Sequence, residues 1–211
     1  MLNIMRNLTA AICCVLSLQL ASATVNAARA DDASLVSGLR AGGLVILLRH
    51  GSTFAEQKDA EPVNFDDPAT QRNLNPKGKD LAKEFGDSIR RAGVPVGQVY
   101  SSKFNRAYET AVLAGFSGIV KTDDVTEPKD NVSAEEKARR ATALKTMLST
   151  APRAGTDTLI VTHLPNIIAA LGQDWANIAE GEAGIFRPTN GGFELVARVQ
   201  MADWARFAQV K

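Results

Sequence analysis

Leu44-Val45-Ile46-Leu47-Leu48-Arg49-His50-Gly51-Ser52-Thr53 is the stretch from which the fold can be read. Its opening apolar run is short, continuous and partly β-branched, the pattern of a strand buried on both faces. The run goes straight into Arg49-His50-Gly51, and Gly51 allows a tight turn where a Cβ would crowd the chain. Open α/β sheets gather their ligands at the carboxyl ends of strands. A guanidinium and an imidazole at this strand end therefore stand where a site would form.

The chain on either side supports a layered fold. Asp31 to Ser34 precede Leu35, Val36 and Leu39, then Gly42-Gly43, which predicts a short helix leading into the strand. Phe54 to Asn75 is polar and lacks periodicity; a loop of that length after the Arg-His-Gly turn is expected to border any site there. Asn75-Pro76 opens a helix to about Arg91, with Leu81, Phe85 and Ile89 as its apolar stripe. Val96 to Ser101 predicts a second strand, and Phe104 to Gly115 a helix carrying Arg106. Ile119 to Asn131 is irregular and acidic, with a short strand at 118–120. Ser133 starts a helix ending near Thr150. Thr158 to Thr162 is a further buried strand ending at His163, Ile167 to Leu171 a helix, and Phe193 to Val199 an edge or half-exposed strand. Trp175 to Asn190 is left without a regular element. The order predicts an α/β protein with helices on both faces of a sheet.

Composition sets the class. The chain has 211 residues and a formal net charge of +1, so bulk charge gives no case for nucleic acid or an anionic membrane as partner. Arg6, the apolar stretch Leu8 to Leu20 and the small residues up to Ala30 are laid out as a secretory signal peptide. The expected organisation is a signal at 1–30 and a single domain at 31–211, exported to the periplasm or secreted, with no stable membrane insertion after cleavage. Both cysteines, Cys13 and Cys14, would leave with the signal, which suits an oxidising compartment.

The chemistry collects at strand ends. The chain has two histidines, His50 and His163, and each directly follows a buried β run. Arg49 and Arg106 are the matching cations. Guanidiniums offer planar, permanently charged donors to tetrahedral oxyanions. A neutral imidazole can attack phosphorus, and a second, protonated one can stabilise the group in transfer. Phosphoryl transfer needs mostly positioning and positive charge.

Three segments carry a resemblance. They are Leu47 to Thr53, Ser101-Ser102-Lys103-Phe104-Asn105-Arg106-Ala107-Tyr108-Glu109-Thr110-Ala111, and Val161-Thr162-His163-Leu164-Pro165-Asn166. In that order the sequence resembles the histidine phosphatase superfamily, which includes phosphoglycerate mutases and histidine acid phosphatases. The likeness runs from about Leu44 to Val199. It implies a three-layer α/β/α sandwich around a mixed, mostly parallel sheet. It implies that His50 is transiently phosphorylated on a small phosphorylated substrate, with Arg49, Arg106 and His163 completing the phosphate pocket. It also implies that no metal or organic cofactor is required.

The general acid departs from the pattern. The larger acid phosphatases carry Asp directly after the second histidine, where this chain has Leu164. Glu182, between Gly181 and Ala183, is the first choice, with Asp123, Asp124 and Glu127 as alternatives. Ser52 and Asn166 adjoin the motifs and are candidate phosphate donors. A phosphatase acting on a phosphomonoester is the leading expectation. A catalytically silent phosphate- or phosphosugar-binding protein is the alternative, and a phosphomutase is a further one.

Overall fold

A computed structural model describes residues 32–210. The signal segment expected at 1–30 lies outside them. The described chain forms one six-stranded sheet with helices on both faces. Helix α1 spans 32–41 and buries Val36 and Leu39. Gly42 then turns the chain at a φ of 75°, and a Cβ there would meet the Thr156 backbone nitrogen at 2.6 Å. Strand β1 is Val45–Arg49, followed by α2 (Pro76–Ala92), β2 (Val96–Ser101), α3 (Asn105–Leu113) and β3 (Val120–Lys121). Next come α4 (Ala134–Ser149), β4 (Asp157–Thr162), α5 (Leu164–Leu171), β5 (Glu182–Thr189), β6 (Gly192–Gln200) and α6 (Trp204–Phe207).

The sheet order is β3-β2-β4-β1-β5-β6. Strand β1 lies inside it, parallel to β4 and antiparallel to β5. Pairings among β1 to β4 are parallel, and those involving β5 are antiparallel. The sheet is thus mixed, with a parallel core, as the sequence led us to expect.

Alternation along β1 divides the core into two layers. Ile46 and Leu48 pack with Phe85, Ile89 and Trp204 on one face. Val45 and Leu47 pack with Leu144, Ile160 and Ile167 on the other. All four β1 side chains are fully buried, each contributing roughly 2 kcal/mol of transfer free energy. Helix α2 begins at the Asn75 cap, whose side chain accepts from Gly78 N, and ends at Gly93 in the left-handed region. Among the described residues no helix is long and apolar enough to cross a membrane.

The structure adds two elements that the sequence reading left out, β5 and the short helix α6. Strand β5 occupies part of the segment left without an element. Gly184 and Pro188 break the apolar run that would have marked it. Gly184 is needed because a Cβ there would meet the Trp175 ring at 2.6 Å. Pro188 lies beyond the stretch of β5 paired with β1 and has only β6 beside it, a position proline tolerates. Smaller differences are at boundaries: α5 starts at Leu164, directly after His163, and β6 extends from Gly192 to Gln200.

Candidate active site

Register brings the motifs together. Arg49 pairs with Thr162 across β1 and β4, and Ser101 with Val161 across β2 and β4. Beyond those pairs His50 N donates to Thr162 O at 3.0 Å, and Ser102 N donates to Val161 O at 3.1 Å. His50, Ser102 and His163 therefore emerge from adjacent strands at one edge of the sheet. The two imidazoles lie 5.1 Å apart between ring centres. Both are buried to about 1% exposure.

His50 is held in one tautomer. Its Nδ1 lies 2.9 Å from the Gly51 carbonyl oxygen. A carbonyl can only accept, so Nδ1 carries the proton and Nε2 keeps the lone pair. Burial, and then the nearby Arg106 charge, push the His50 pKa well below its ordinary value. The ring is neutral and nucleophilic at neutral pH.

The turn that presents His50 is braced from three sides. Gly51 N donates to Thr110 Oγ1, which itself donates to Arg106 O. Gly181 N reaches the carbonyls of Arg49 and His50. The N-terminus of α2 packs so closely that a Cβ on Gly78 would sit 2.1 Å from Ser52 O. This last contact explains why a glycine stands in the first turn of α2.

Arg106 enters from the first turn of α3, with its guanidinium 4.2 Å from the Phe104 ring centre. It is almost wholly buried and doubly ion-paired, to Asp59 at 2.9 Å and Glu127 at 2.6 Å. Asp59 comes from the long loop after β1 and also binds Lys129 at 2.7 Å and Arg72 N at 2.9 Å. Burial alone would raise the Asp59 pKa, but Lys129 and Arg106 outweigh it and hold the carboxyl below its ordinary value. Arg49 donates to Ile178 O at 2.7 Å and lies 3.7 Å from Glu180. Glu180 in turn accepts from Thr53 N and Thr53 Oγ1.

His163 Nε2 lies 2.7 Å from Ser102 Oγ, and its Nδ1 lies 3.5 Å from Glu127 Oε2. A Ser102 hydroxyl donating to Nε2 puts the proton of neutral His163 on Nδ1, facing Glu127. The sequence led us to expect a protonated second imidazole, whereas its surroundings favour the neutral form. Burial, then Arg106 and His50, lower the His163 pKa well below its ordinary value. A bound phosphate dianion would oppose that shift.

Three buried nitrogens here have no hydrogen-bond partner among the described residues: Arg49 Nε, Arg106 Nε and His163 Nδ1. A buried donor left unpaired costs roughly 1–3 kcal/mol. Three such atoms at the sheet end that carries the neutral His50 imidazole fit the binding of an anion.

The structure also sorts the carboxylates. Glu182 is committed elsewhere: it binds Arg198 at 2.6 Å, Gln200 at 2.9 Å and Ala179 N at 2.9 Å. Burial opposes its ionisation, yet these partners hold its pKa below the ordinary value, the wrong direction for a proton donor. Asp123 pairs with Lys103, and Asp124 with Arg139. Of the four candidates, Glu127 alone touches both Arg106 and His163. Asn166 donates its amide to Thr126 O, while Thr162 Oγ1 donates to Val125 O. These two bonds fix the segment that carries Glu127, so the Asn166 amide serves the backbone. Ser52 gives its carbonyl to Asn75 N. Asp59, Ser102 and Glu180 were missed as site residues. Ser102 alone had a signal, since it follows a strand as His50 and His163 do.

A model of the histidine phosphatase superfamily (branch 1) matches residues 45–127, which include β1, His50, Arg106 and Glu127. That stretch, from the first strand to the loop before α4, is where the chain is similar to the histidine phosphatase superfamily. Among solved structures, the protein histidine phosphatase SixA complexed with tungstate is 16% identical, with a TM-score of 0.53 over 75% of this chain and 97% of that one. A phosphoserine phosphatase from Entamoeba histolytica, solved with phosphoserine, is 16% identical, with a TM-score of 0.52 over 75% of this chain and 97% of that one. A mycobacterial glucosyl-3-phosphoglycerate phosphatase is 15% identical, with a TM-score of 0.50 over 73% of this chain and 97% of that one. These likenesses show a shared fold. No curated protein matches the chain by sequence.

Proposed function

We propose that this protein is an exported phosphatase that hydrolyses a small phosphomonoester through a phosphohistidine at His50. One observation carries the reading. The free Nε2 of a neutral, tautomer-fixed His50 lies at the same end of the sheet as three buried nitrogens without a hydrogen-bond partner among the described residues. The superfamily match over residues 45–127 and phosphatase neighbours of the same fold support it.

In this mechanism Arg49 Nε, Arg106 Nε and His163 Nδ1 bind the phosphoryl oxygens. His50 Nε2 attacks phosphorus in line; the N–P bond forms as the ester P–O bond breaks. The His50 Nδ1 proton, held by Gly51 O, lets the ring carry the positive charge that develops. Glu127, in its protonated form, gives the leaving oxygen its proton. Water then attacks the phosphohistidine, returning a proton to Glu127, and the N–P bond breaks to release inorganic phosphate. Glu127 replaces Glu182 as the acid because of its contacts with the site. Export rests on the signal-like segment at 1–30. It predicts that the protein recovered from the cell envelope or medium starts near residue 31.

The test is phosphate release from a panel of phosphomonoesters. The wild-type chain should turn over several of them, and a folded His50→Ala chain none. Activity of His50→Ala within a few-fold of wild type would remove His50 as nucleophile. Tight phosphate binding with no turnover of any ester would indicate the silent binding protein instead.

A further inference from the structure

The phosphate site adjoins a cavity of about 400 Å³, and Glu127 is the wall they share. On one side Glu127 Oε2 reaches Arg106 and His163. On the other it lines the cavity. An ester oxygen protonated by Glu127 must leave toward that carboxylate, so the alcohol attached to it comes to lie in this space.

The lining has two characters. Pro62, Val63, Phe65 and Val132 supply an apolar wall from the loop after β1 and the loop before α4. The Phe65 ring packs edge-on against Phe104 at 5.1 Å, and Phe104 packs against His163 at 5.3 Å. The apolar wall is thereby fixed relative to the catalytic imidazoles.

The charges of the lining are unequally engaged. Both cations are taken: Lys129 by Asp59 at 2.7 Å, and Arg140 by Glu136 at 2.8 Å and by Thr126 O at 3.1 Å. Asp123 is taken by Lys103 at 2.6 Å. Glu61 and Asp130 line the cavity too, and neither has an ion-pair partner among the described residues. The unmatched charge facing an incoming alcohol is therefore negative.

We propose that this cavity seats the leaving alcohol and selects phosphomonoesters whose alcohol has an apolar or aromatic body without an anionic group. An ammonium substituent is preferred to a carboxylate. The inference rests on the phosphatase reading and adds the substrate class. Glu61 and Asp130 are specificity residues at the outer side of the cavity; they take no part in the chemistry at phosphorus.

The test uses three esters of comparable leaving ability: para-aminomethylbenzyl phosphate, benzyl phosphate and para-carboxybenzyl phosphate. Phosphate release is measured with the wild-type chain. Binding of each intact ester is measured by calorimetry with the His50→Ala chain. The expected order of both kcat/KM and affinity is ammonium, then neutral, then carboxylate, with about fivefold between the extremes, as befits partly exposed charges. A double charge reversal, Glu61→Lys with Asp130→Lys, should invert the order while benzyl phosphate stays within about twofold. Equal values for the three esters, or a wild-type preference for the carboxylate, overturns the subsite. An unchanged order in the double variant overturns the charge assignment. Binding in the expected order without phosphate release by wild type supports the subsite and overturns the phosphatase reading.

Discussion

The two ends of the parallel strands bury polar groups in opposite ways. At the carboxyl end, Arg49, Arg106 and His163 each keep a buried nitrogen without a hydrogen-bond partner among the described residues. At the amino end, β4 begins with Asp157, also fully buried. Its Oδ1 accepts from Leu44 N at 2.9 Å, and its Oδ2 has no partner among the described residues. Burial pushes the Asp157 pKa up to about 7, so this end answers desolvation by taking a proton. The carboxyl end keeps its cations and counters them with Asp59, Glu127 and Glu180. One unpaired atom is a local cost of folding. Several, on different elements at one end of the sheet, suit an anionic ligand.

That contrast can be broken most forcefully at Arg106. Arg106→Ala leaves Asp59 and Glu127 facing each other without their shared cation. It should lower kcat/KM by about a thousandfold or more, as loss of a transition-state clamp does. It should also cost roughly 3–5 kcal/mol of stability, as breaking a buried pair does. Thermal unfolding beside kinetics separates the two effects; a variant of wild-type activity would refute the clamp.

Glu127→Gln tests the acid. It should slow alkyl esters by about a hundredfold and activated aryl esters far less, because a good leaving group needs no proton. Glu182→Gln should show no such dependence on leaving group. The opposite pattern would return the role to Glu182.

Gly78→Ala sharpens the structural side. Its Cβ would press on Ser52 O, forcing the His50 turn and α2 apart. We expect a stability loss of about 1–3 kcal/mol and a fall in kcat. An unchanged melting temperature would show that the turn yields freely.

The smallest effect is expected at the amino end and has a definite sign. The raised Asp157 pKa means that its protonation favours the folded state. That contribution is full below the ordinary value of 3.8 and is lost as pH rises through about 7. The two histidines act the other way: their lowered pKa values weaken the fold as pH drops below 6.5. Asp157→Asn keeps the acceptor for Leu44 N and removes the charge. It should raise the melting temperature at pH 8 more than at pH 5, by on the order of 2 kcal/mol in stability. An equal change at both pH values would refute the assignment.

The same contrast explains what the sequence disclosed. Strands β1, β2 and β4 are short apolar runs ending in turn residues, so their ends, and with them His50 and His163, could be aligned before any contact was known. Strand β5 could not, because Gly184 answers to the Trp175 ring and not to a local pattern. Arg106 was visible as a cation after a strand. Its partners were not: Asp59 and Glu127 reach it from irregular loops, 47 and 21 residues away. Glu182 looked suitable because glycine and alanine flank it, yet its strand pairing turns it to Arg198 and Gln200. Local periodicity shows where a strand ends; it carries no information on which distant loop closes over that end.

The most direct test of the central claim is to trap the intermediate. The chain is mixed rapidly with benzyl phosphate labelled at phosphorus, quenched in alkali to preserve phosphohistidine, and mapped by mass spectrometry. The account predicts acid-labile label on His50 alone, forming before phosphate is released. Turnover without label, or label on another residue, would contradict it.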